Sequence, residues 1–366
     1  MGVSGWVEGD LRDELIQRTG DLCSIPGAPG FEHDVVAWLV QQLEPHSDEI
    51  DVDSMGNLYA LRKGDPRGPT LMISAHSDEI GGVVRAIEPG GFLRFNKLGG
   101  LLDALLVGRM VMVGDHFGVI GAKAGHAQTE EERSRVLEYT KLYIDVGAES
   151  RAEVEEMGIR IGDPVTYVSD VHRFTNQDRF CGKALDNRLG CVVLLALLKS
   201  LRGTELAGDM YVVVTVQEEV GLRGAQVAAY HVNPACAIVV DTIPCGDTPD
   251  MGEHKSLPIG IGRGPAIRLV SRADVMHHGM KRLLIETANA EGIPYQPVVH
   301  DRSTTDASAI HLQREGVPTG IVTIPRRYSH TPVEVADVND VVNTFRLLKA
   351  LVGRIGDIRG YLGFIS

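Results

Sequence analysis

Residues 210–225 read MYVVVTVQEEVGLRGA. The stretch Tyr211–Val216 is apolar except for one threonine, the pattern of a strand buried on both faces, as in a parallel sheet. It ends abruptly in Glu218 and Glu219, with Gly221 following. Taken alone, the glutamate pair reads as a solvated loop. What it means depends on what stands at the ends of the other strands.

Outward from this stretch the pattern repeats. Strand-like runs occur at 70–82 (TLMISAHSDEIGG), 236–241 (CAIVVD), 264–271, 295–301 and 318–325. Between them lie helical patterns at 187–201 (NRLGCVVLLALLKSL), 224–232, 275–292 and 306–316, with Gly292 as a C-cap. A last helix starts at the cap Asp337 and puts Val338, Val341, Val342, Phe345 and Leu348 on one face. Near the start, helical patterns at 12–25 and 31–45 flank PGAPG, and short strands at 49–54 and 57–64 meet at Met55-Gly56. Such alternation predicts an α/β sheet covered by helices on both faces. Residues 82–177 differ: short strand-like pieces punctuated by glycine, with one helical pattern at 148–158. They read as a small β-rich domain inserted into a main domain of residues 1–81 and 178–366. A length of 366 residues fits two domains.

Composition narrows the function classes. Lys+Arg total 36 against Asp+Glu 49, a net charge of −13, with no basic cluster. Nucleic acid is therefore not an expected partner. The longest apolar run, CVVLLALL at 191–198, is too short for a bilayer, and no membrane association is expected. The N-terminus lacks the basic and apolar segments of a signal peptide, and Trp6 stands where a myristoylation motif needs Ser or Thr. Five cysteines without a CxxC pair point to reduced thiols, and so to a cytoplasmic protein.

The strand ends carry the chemistry. His76, Asp78 and Glu79 follow one strand, Glu218 and Glu219 another, Asp241 a third and His330 a fourth; Asp186 stands just before a helix. In open α/β sheets, ligands bind beyond the carboxyl ends of the strands. Each residue alone has a plain structural reading, and Asp186 reads most simply as an N-cap. Together they put two imidazoles and several carboxylates on one rim, where unpaired buried carboxylates are costly. Two His and three carboxylates suit zinc, cobalt or manganese. Three ligand carboxylates and one base sum to −4, which two divalent ions balance. Two such ions roughly 3.5–4 Å apart polarise a carbonyl and lower the pKa of a bridging water toward ~7, while a free carboxylate moves its proton. Adjacent residues of an extended chain point apart, so Glu218 and Glu219 can serve two roles. Chemistry alone does not say which glutamate takes which.

With these residues assembled, the chain resembles the M42 family of metallo-aminopeptidases. The resemblance rests on PGAPGFE, DSMGNLYA, AHSDEIG, KLYIDVGAESRAEVEEMGIRIGD, ALDNRLG, QEEVGLRGA, GDTP, IGRGPAI, TTDA and IPRRYSHTP, which run nearly end to end. It implies a zinc-peptidase-like domain with a mixed sheet sandwiched by helices, and an inserted β-rich domain that mediates dimerisation. It further implies dimers assembled into a dodecameric shell, and short peptides as substrates. It implies that Asp186 bridges two ions, with His76 and Asp241 completing one site and Glu219 and His330 the other. Glu218 is implied as general base, and Asp78 as the carboxylate orienting the His76 imidazole. A non-proline cis peptide is implied at Asp186–Asn187. Two residues depart from the family pattern: Ser77 where Met is frequent, and Asn187 where a second Asp is common.

Other candidates have plainer readings. His277 and His278 are neighbours on a predicted helix and diverge by about 100°, so they are not read as a ligand pair. His126 is read as a surface or interface residue of the insert. Thr305 and Asp306 either cap the following helix or contact substrate. GIGRGP at 260–265 lacks the spacing of a phosphate loop. Two rivals remain: a glycosidase working through Glu218 and a second carboxylate, which needs neither imidazoles nor metal, and a non-catalytic, metal-stapled shell protein.

Overall fold

The computed structural model describes residues 8–251 and 257–363. The expected reading of the extreme N-terminus, Trp6 included, lies outside them. In chain order the strands are β1 (Glu49–Val52), β2 (Leu58–Arg62), β3 (Leu71–His76), β4 (Gly81–Ile87), β5 (Leu93–Leu98) and β6 (Met110–Val113). They continue with β7 (His116–Gly121), β8 (Tyr143–Asp145), β9 (Pro164–Tyr167), β10 (His172–Arg173), β11 (Arg179–Gly182) and β12 (Met210–Thr215). The last are β13 (Cys236–Pro244), β14 (Ala266–Val270), β15 (Gln296–Val299), β16 (Thr319–Arg326) and β17 (Glu334–Asp337).

Eight strands form one mixed sheet in the order β1-β2-β12-β3-β13-β16-β14-β15. Its centre, β12-β3-β13-β16, is parallel, with Thr215 opposite His76 and Asp241 opposite Thr323. β2 runs antiparallel to β12, and β14 antiparallel to β16. The apolar runs are explained by position: β3 is buried at every residue and β13 at all but its last. The helix Leu185–Ser200 packs on β3 and β13 and against the helices Glu8–Cys23 and Val338–Val352. It is buried at every residue from Leu185 to Leu198, which is why its stretch Leu189–Leu198 is apolar all round. Arg223–Val232 packs against β12. Asp337 caps the last helix, its side chain accepting from the Asn339 amide at 3.0 Å.

β4-β5-β8-β7-β6-β9 close into a small barrel spanning residues 81–167. Val84, Leu93, Phe95, Val111, Val113, Ile120, Ile144 and Val165 fill its own core. The chain then returns through β10 and β11 to a three-stranded sheet with β17. No described helix is long and apolar enough to cross a membrane.

Candidate metal centre and active site

The parallel strands deliver their ends to one rim, and the predicted residues converge there. A cavity of about 470 Å³ is lined by His76, Asp186, Glu218, Glu219, Asp241 and His330. Among the described residues, two groups have ligand atoms within 4.8 Å of one another: His76, Glu218 and Asp241, and Asp186, Glu219 and His330. Asp186 lies between them. Its Oδ1 is 3.3 Å from His76 Nε2, and its Oδ2 is 3.4 Å from His330 Nε2. His76 Nε2 is also 3.6 Å from Asp241 Oδ1, and His330 Nε2 is 3.5 Å from Glu219 Oε1.

Both imidazoles turn the same nitrogen inward for a visible reason. His76 Nδ1 faces the Asp78 carbonyl at 3.1 Å, and His330 Nδ1 faces the Gly100 carbonyl at 3.3 Å. An outward hydrogen bond of this kind fixes the ring and leaves Nε2 for a ligand. The Gly100 contact comes from the loop after β5, so the barrel side of the molecule supports the site. A Cβ on Gly100 would lie 2.4 Å from His330 Nδ1, and only glycine allows that approach.

The local backbone corrects parts of the sequence reading. The two glutamates are not on an extended chain. Gln217 has φ +55, and a turn follows in which the Gly221 amide bonds the Glu218 carbonyl at 3.0 Å. The turn still sends one glutamate to each group. Asp241 does not end its strand, since β13 runs on to Pro244; it lies beyond the stretch of β13 paired with β3, which ends at Val239. Asp186 is not the helix cap. The backbone is non-helical at Asp186 (φ −81, ψ 107) and Asn187 (φ −122, ψ 41), and Asn187 Oδ1 accepts the Gly190 amide at 3.1 Å. Asn187 Nδ2 donates to the Val240 carbonyl at 2.8 Å, which an aspartate could not do. The Asp186–Asn187 peptide is cis. Ser77 Oγ donates to the Thr215 carbonyl at 2.9 Å, tying β3 to β12. Ala184, Gln217, Leu222, Tyr328 and His330 all have φ above +50, unusual for residues other than glycine.

The remaining candidates fall outside the cavity lining. Thr305 and Asp306 are each 1% exposed, and neither side chain lines the cavity. The capping reading holds for Thr305, whose Oγ1 accepts the Ala307 amide at 3.3 Å; Asp306 makes no side-chain cap and accepts from Thr215 Oγ1 at 2.5 Å. His277 caps its helix through Nδ1 and stacks on His278 with ring centroids 4.8 Å apart, so the two do not diverge. Neither belongs to a ligand group. His126 is exposed. In the loop 260–265 the anion is internal, because the Gly262 and Gly264 amides donate to Asp340 at 2.6 and 2.7 Å.

Sequence reading missed two residues of the network. Arg326 bonds Asp186 Oδ2, Glu334 Oε1 (2.7 Å) and Thr242 Oγ1 (2.6 Å). Glu334 in turn accepts the amides of His330 (2.8 Å) and Asp186 (3.1 Å). Both residues are 2% exposed. Charge crowding shows in the ionisation of the site. Burial pushes Glu218 upward, with Asp241 and Glu219 adding to the effect and His76 opposing it. Asp186 is held well below the usual carboxylate range, because Arg326, His330 and His76 outweigh its burial.

Residues 56–347 match the sequence profile of the M42 glutamyl aminopeptidases. The chain belongs to this family. A putative aminopeptidase from Acetivibrio thermocellus is 39% identical, covering 93% of this chain and 98% of the relative. The lysyl aminopeptidase of Pyrococcus furiosus is 35% identical, covering 93% and 96%. Among solved structures, a TET aminopeptidase from the Thaumarchaeota archaeon SCGC AB-539-E09 superposes with a TM-score of 0.91 at 33% identity, over 95% and 99% of the chains. The Pyrococcus horikoshii TET1 peptidase, which can assemble into a tetrahedron or a large octahedral shell, gives 0.84 at 32%, over 92% and 99%. A Thermotoga maritima structure named an endoglucanase gives 0.77 at 35%, over 93% and 98%. The protein is thus an M42 aminopeptidase, a hydrolase of a metal-dependent family, with a mixed α/β sheet and a small β-rich domain.

Proposed function

We propose that this M42 aminopeptidase removes N-terminal residues from short peptides at a centre of two divalent ions. The observation that carries the reading is Asp186 between two imidazole–carboxylate groups, its Oδ1 buried without a hydrogen-bond partner. An acceptor buried in that way is costly unless a cation or donor meets it. The donor set, nitrogen and carboxylate oxygen without thiolate, fits Zn²⁺ or Co²⁺ foremost, and Mn²⁺. Asp186 with His76 and Asp241 would hold one ion, and Asp186 with Glu219 and His330 the other. When bound, such ions supply Lewis acidity and make a water acidic enough to ionise near neutral pH.

The chain's own residues do the rest. Glu218, already pushed upward by burial, accepts the proton of the attacking water and returns it to the leaving amine. Asp78 holds the turn that aims both glutamates, through the Glu218 and Glu219 amides at 3.0 Å each. A glycosidase would need a carboxylate pair and no imidazoles; here every carboxylate in the two groups stands beside a histidine. The residue ranges 1–81 and 178–366 are proposed as the catalytic domain, and 82–177 as a dimerisation domain building a dodecamer. The outer face of the barrel supports that role. Met110 and Phe117 are 51% and 54% exposed on one β6–β7 ladder, with Val119 beside them. All five cysteines are free, in keeping with a cytoplasmic enzyme.

The test is an aminoacyl-arylamide panel on enzyme reconstituted with Zn²⁺, Co²⁺ or Mn²⁺. Hydrolysis that chelator abolishes and added metal restores supports the reading. Full activity in excess chelator, or cleavage of β-glucan instead, would overturn it.

A further inference from the structure

Arg326 ends β16 inside the site, and it makes the two oxygens of Asp186 unlike. Oδ2, which faces His330, already accepts from the buried guanidinium; Oδ1, which faces His76, has no hydrogen-bond partner. An oxygen that accepts a hydrogen bond from a guanidinium has less electron density for a cation. The guanidinium's charge also repels that cation across a gap of low dielectric. Glu334 offsets part of this charge, but it divides its own oxygens between Arg326 and the amides of His330 and Asp186. Arg326 cannot withdraw, because its third arm is fixed on Thr242 Oγ1 at 2.6 Å.

We propose that Arg326 makes the two metal positions unequal, so that the His76–Asp241 position fills first and the Glu219–His330 position binds more weakly. This rests on the two-ion reading above. At limiting metal, the enzyme holds one ion near His76, and the second exchanges. Arg326 is a positioning residue here: it acts on the second ion through Asp186. Altering a group that hydrogen-bonds a metal ligand typically moves metal affinity or activity by about 10–100-fold, and the lower end is expected for the gap between the two steps.

Stepwise loading tests this directly. The full-length chain, stripped with chelator, is loaded with Co²⁺ and followed by calorimetry and visible absorbance. Two steps are expected, separated by about tenfold or more in affinity. His330→Ala removes the weaker step and His76→Ala the tighter one. Arg326→Met, similar in length but uncharged, tightens the weaker step by about tenfold and leaves the first step in place. Arg326→Lys keeps the charge and leaves the weaker step weak. Because Arg326→Met strands Glu334, the double variant Arg326→Met/Glu334→Gln is loaded alongside it, with thermal unfolding as the check on folding. The double variant decides if the single one does not fold. Equal steps in the unaltered protein, loss of the tighter step in His330→Ala, or an unmoved weaker step in a folded Arg326→Met chain each overturn the proposal. Absence of any bound ion overturns the two-ion reading as well, which separates the two failures.

Discussion

Asp78 Oδ2 accepts the Glu219 backbone amide at 3.0 Å, and its Oδ1 takes the neighbouring Glu218 amide at the same distance. Asp78 is fully buried, and its Oδ1 also lies 3.4 Å from His76 Nδ1. One carboxylate thereby fixes the two-glutamate turn and backs the histidine across the site. Asp78→Asn keeps the volume but presents an NH₂ to one of the donors. The expected result is a 10–100-fold loss of metal affinity and of kcat/KM together. Metal analysis and steady-state kinetics on the same preparation check it; a loss of kcat with full metal content would assign Asp78 a different role.

Removal of the metal should expose a pH dependence of stability. In the metal-free protein burial disfavours charged His330, but its hydrogen bond to Asp186 and the nearby Glu219 outweigh that and push it up to about 9 from 6.5. Burial pushes Glu219 up to about 8 from 4.5, with His330 opposing. Both pKa values are raised on folding, so the folded state binds more protons than the unfolded one between about pH 5 and 9. Stability from these groups is present below the unfolded values and lost as pH rises through the folded ones. The Tm of chelated enzyme is expected to fall across that window, while metal-loaded enzyme, whose ligands are already deprotonated, stays flatter. A Tm of the chelated form that rises with pH would contradict this.

The barrel ladder gives a separate test of assembly. Met110 lies opposite Val119 and Met112 opposite Phe117, which places all four on one face of the β6–β7 pair. Met110→Asp with Phe117→Asp should lower the mass seen by light scattering without unfolding the chain. A large unaltered assembly that survives both changes would move the interface elsewhere, and a monomeric unaltered protein would remove it.

Much of this was legible in the sequence because buried parallel strands cannot hide. Runs such as Ile238–Val240 and Tyr211–Val216 are apolar because both faces are covered, so the polar residues that follow them stand out. β17 and β10 were not legible: β10 is only His172–Arg173, and β17 is a short strand whose partner β11 lies far off in sequence. Arg326 was equally silent. It meets Asp186 across 140 positions of chain, and nothing in PRRYSH distinguishes it from Arg327, which pairs with Asp247 at 2.7 Å. Asp186 misled for a local reason: an Asp before a helical run looks like a cap, and only the backbone shows that Asn187 takes the task.

The central claim is that the adjacent glutamates divide the work, Glu219 on metal and Glu218 on the proton, and paired isosteric substitution tests it most directly. Glu218→Gln removes a base and no ligand, so elemental analysis should still find two ions per chain while turnover falls about 10²–10⁴-fold. KM should change little. Glu219→Gln replaces an anionic ligand with a weak neutral one, so it should lose occupancy as well as rate and recover part of both in excess metal. Rescue of Glu218→Gln by metal, with Glu219→Gln fully loaded and inactive, would reverse the two roles. Near-normal turnover in both would contradict the account.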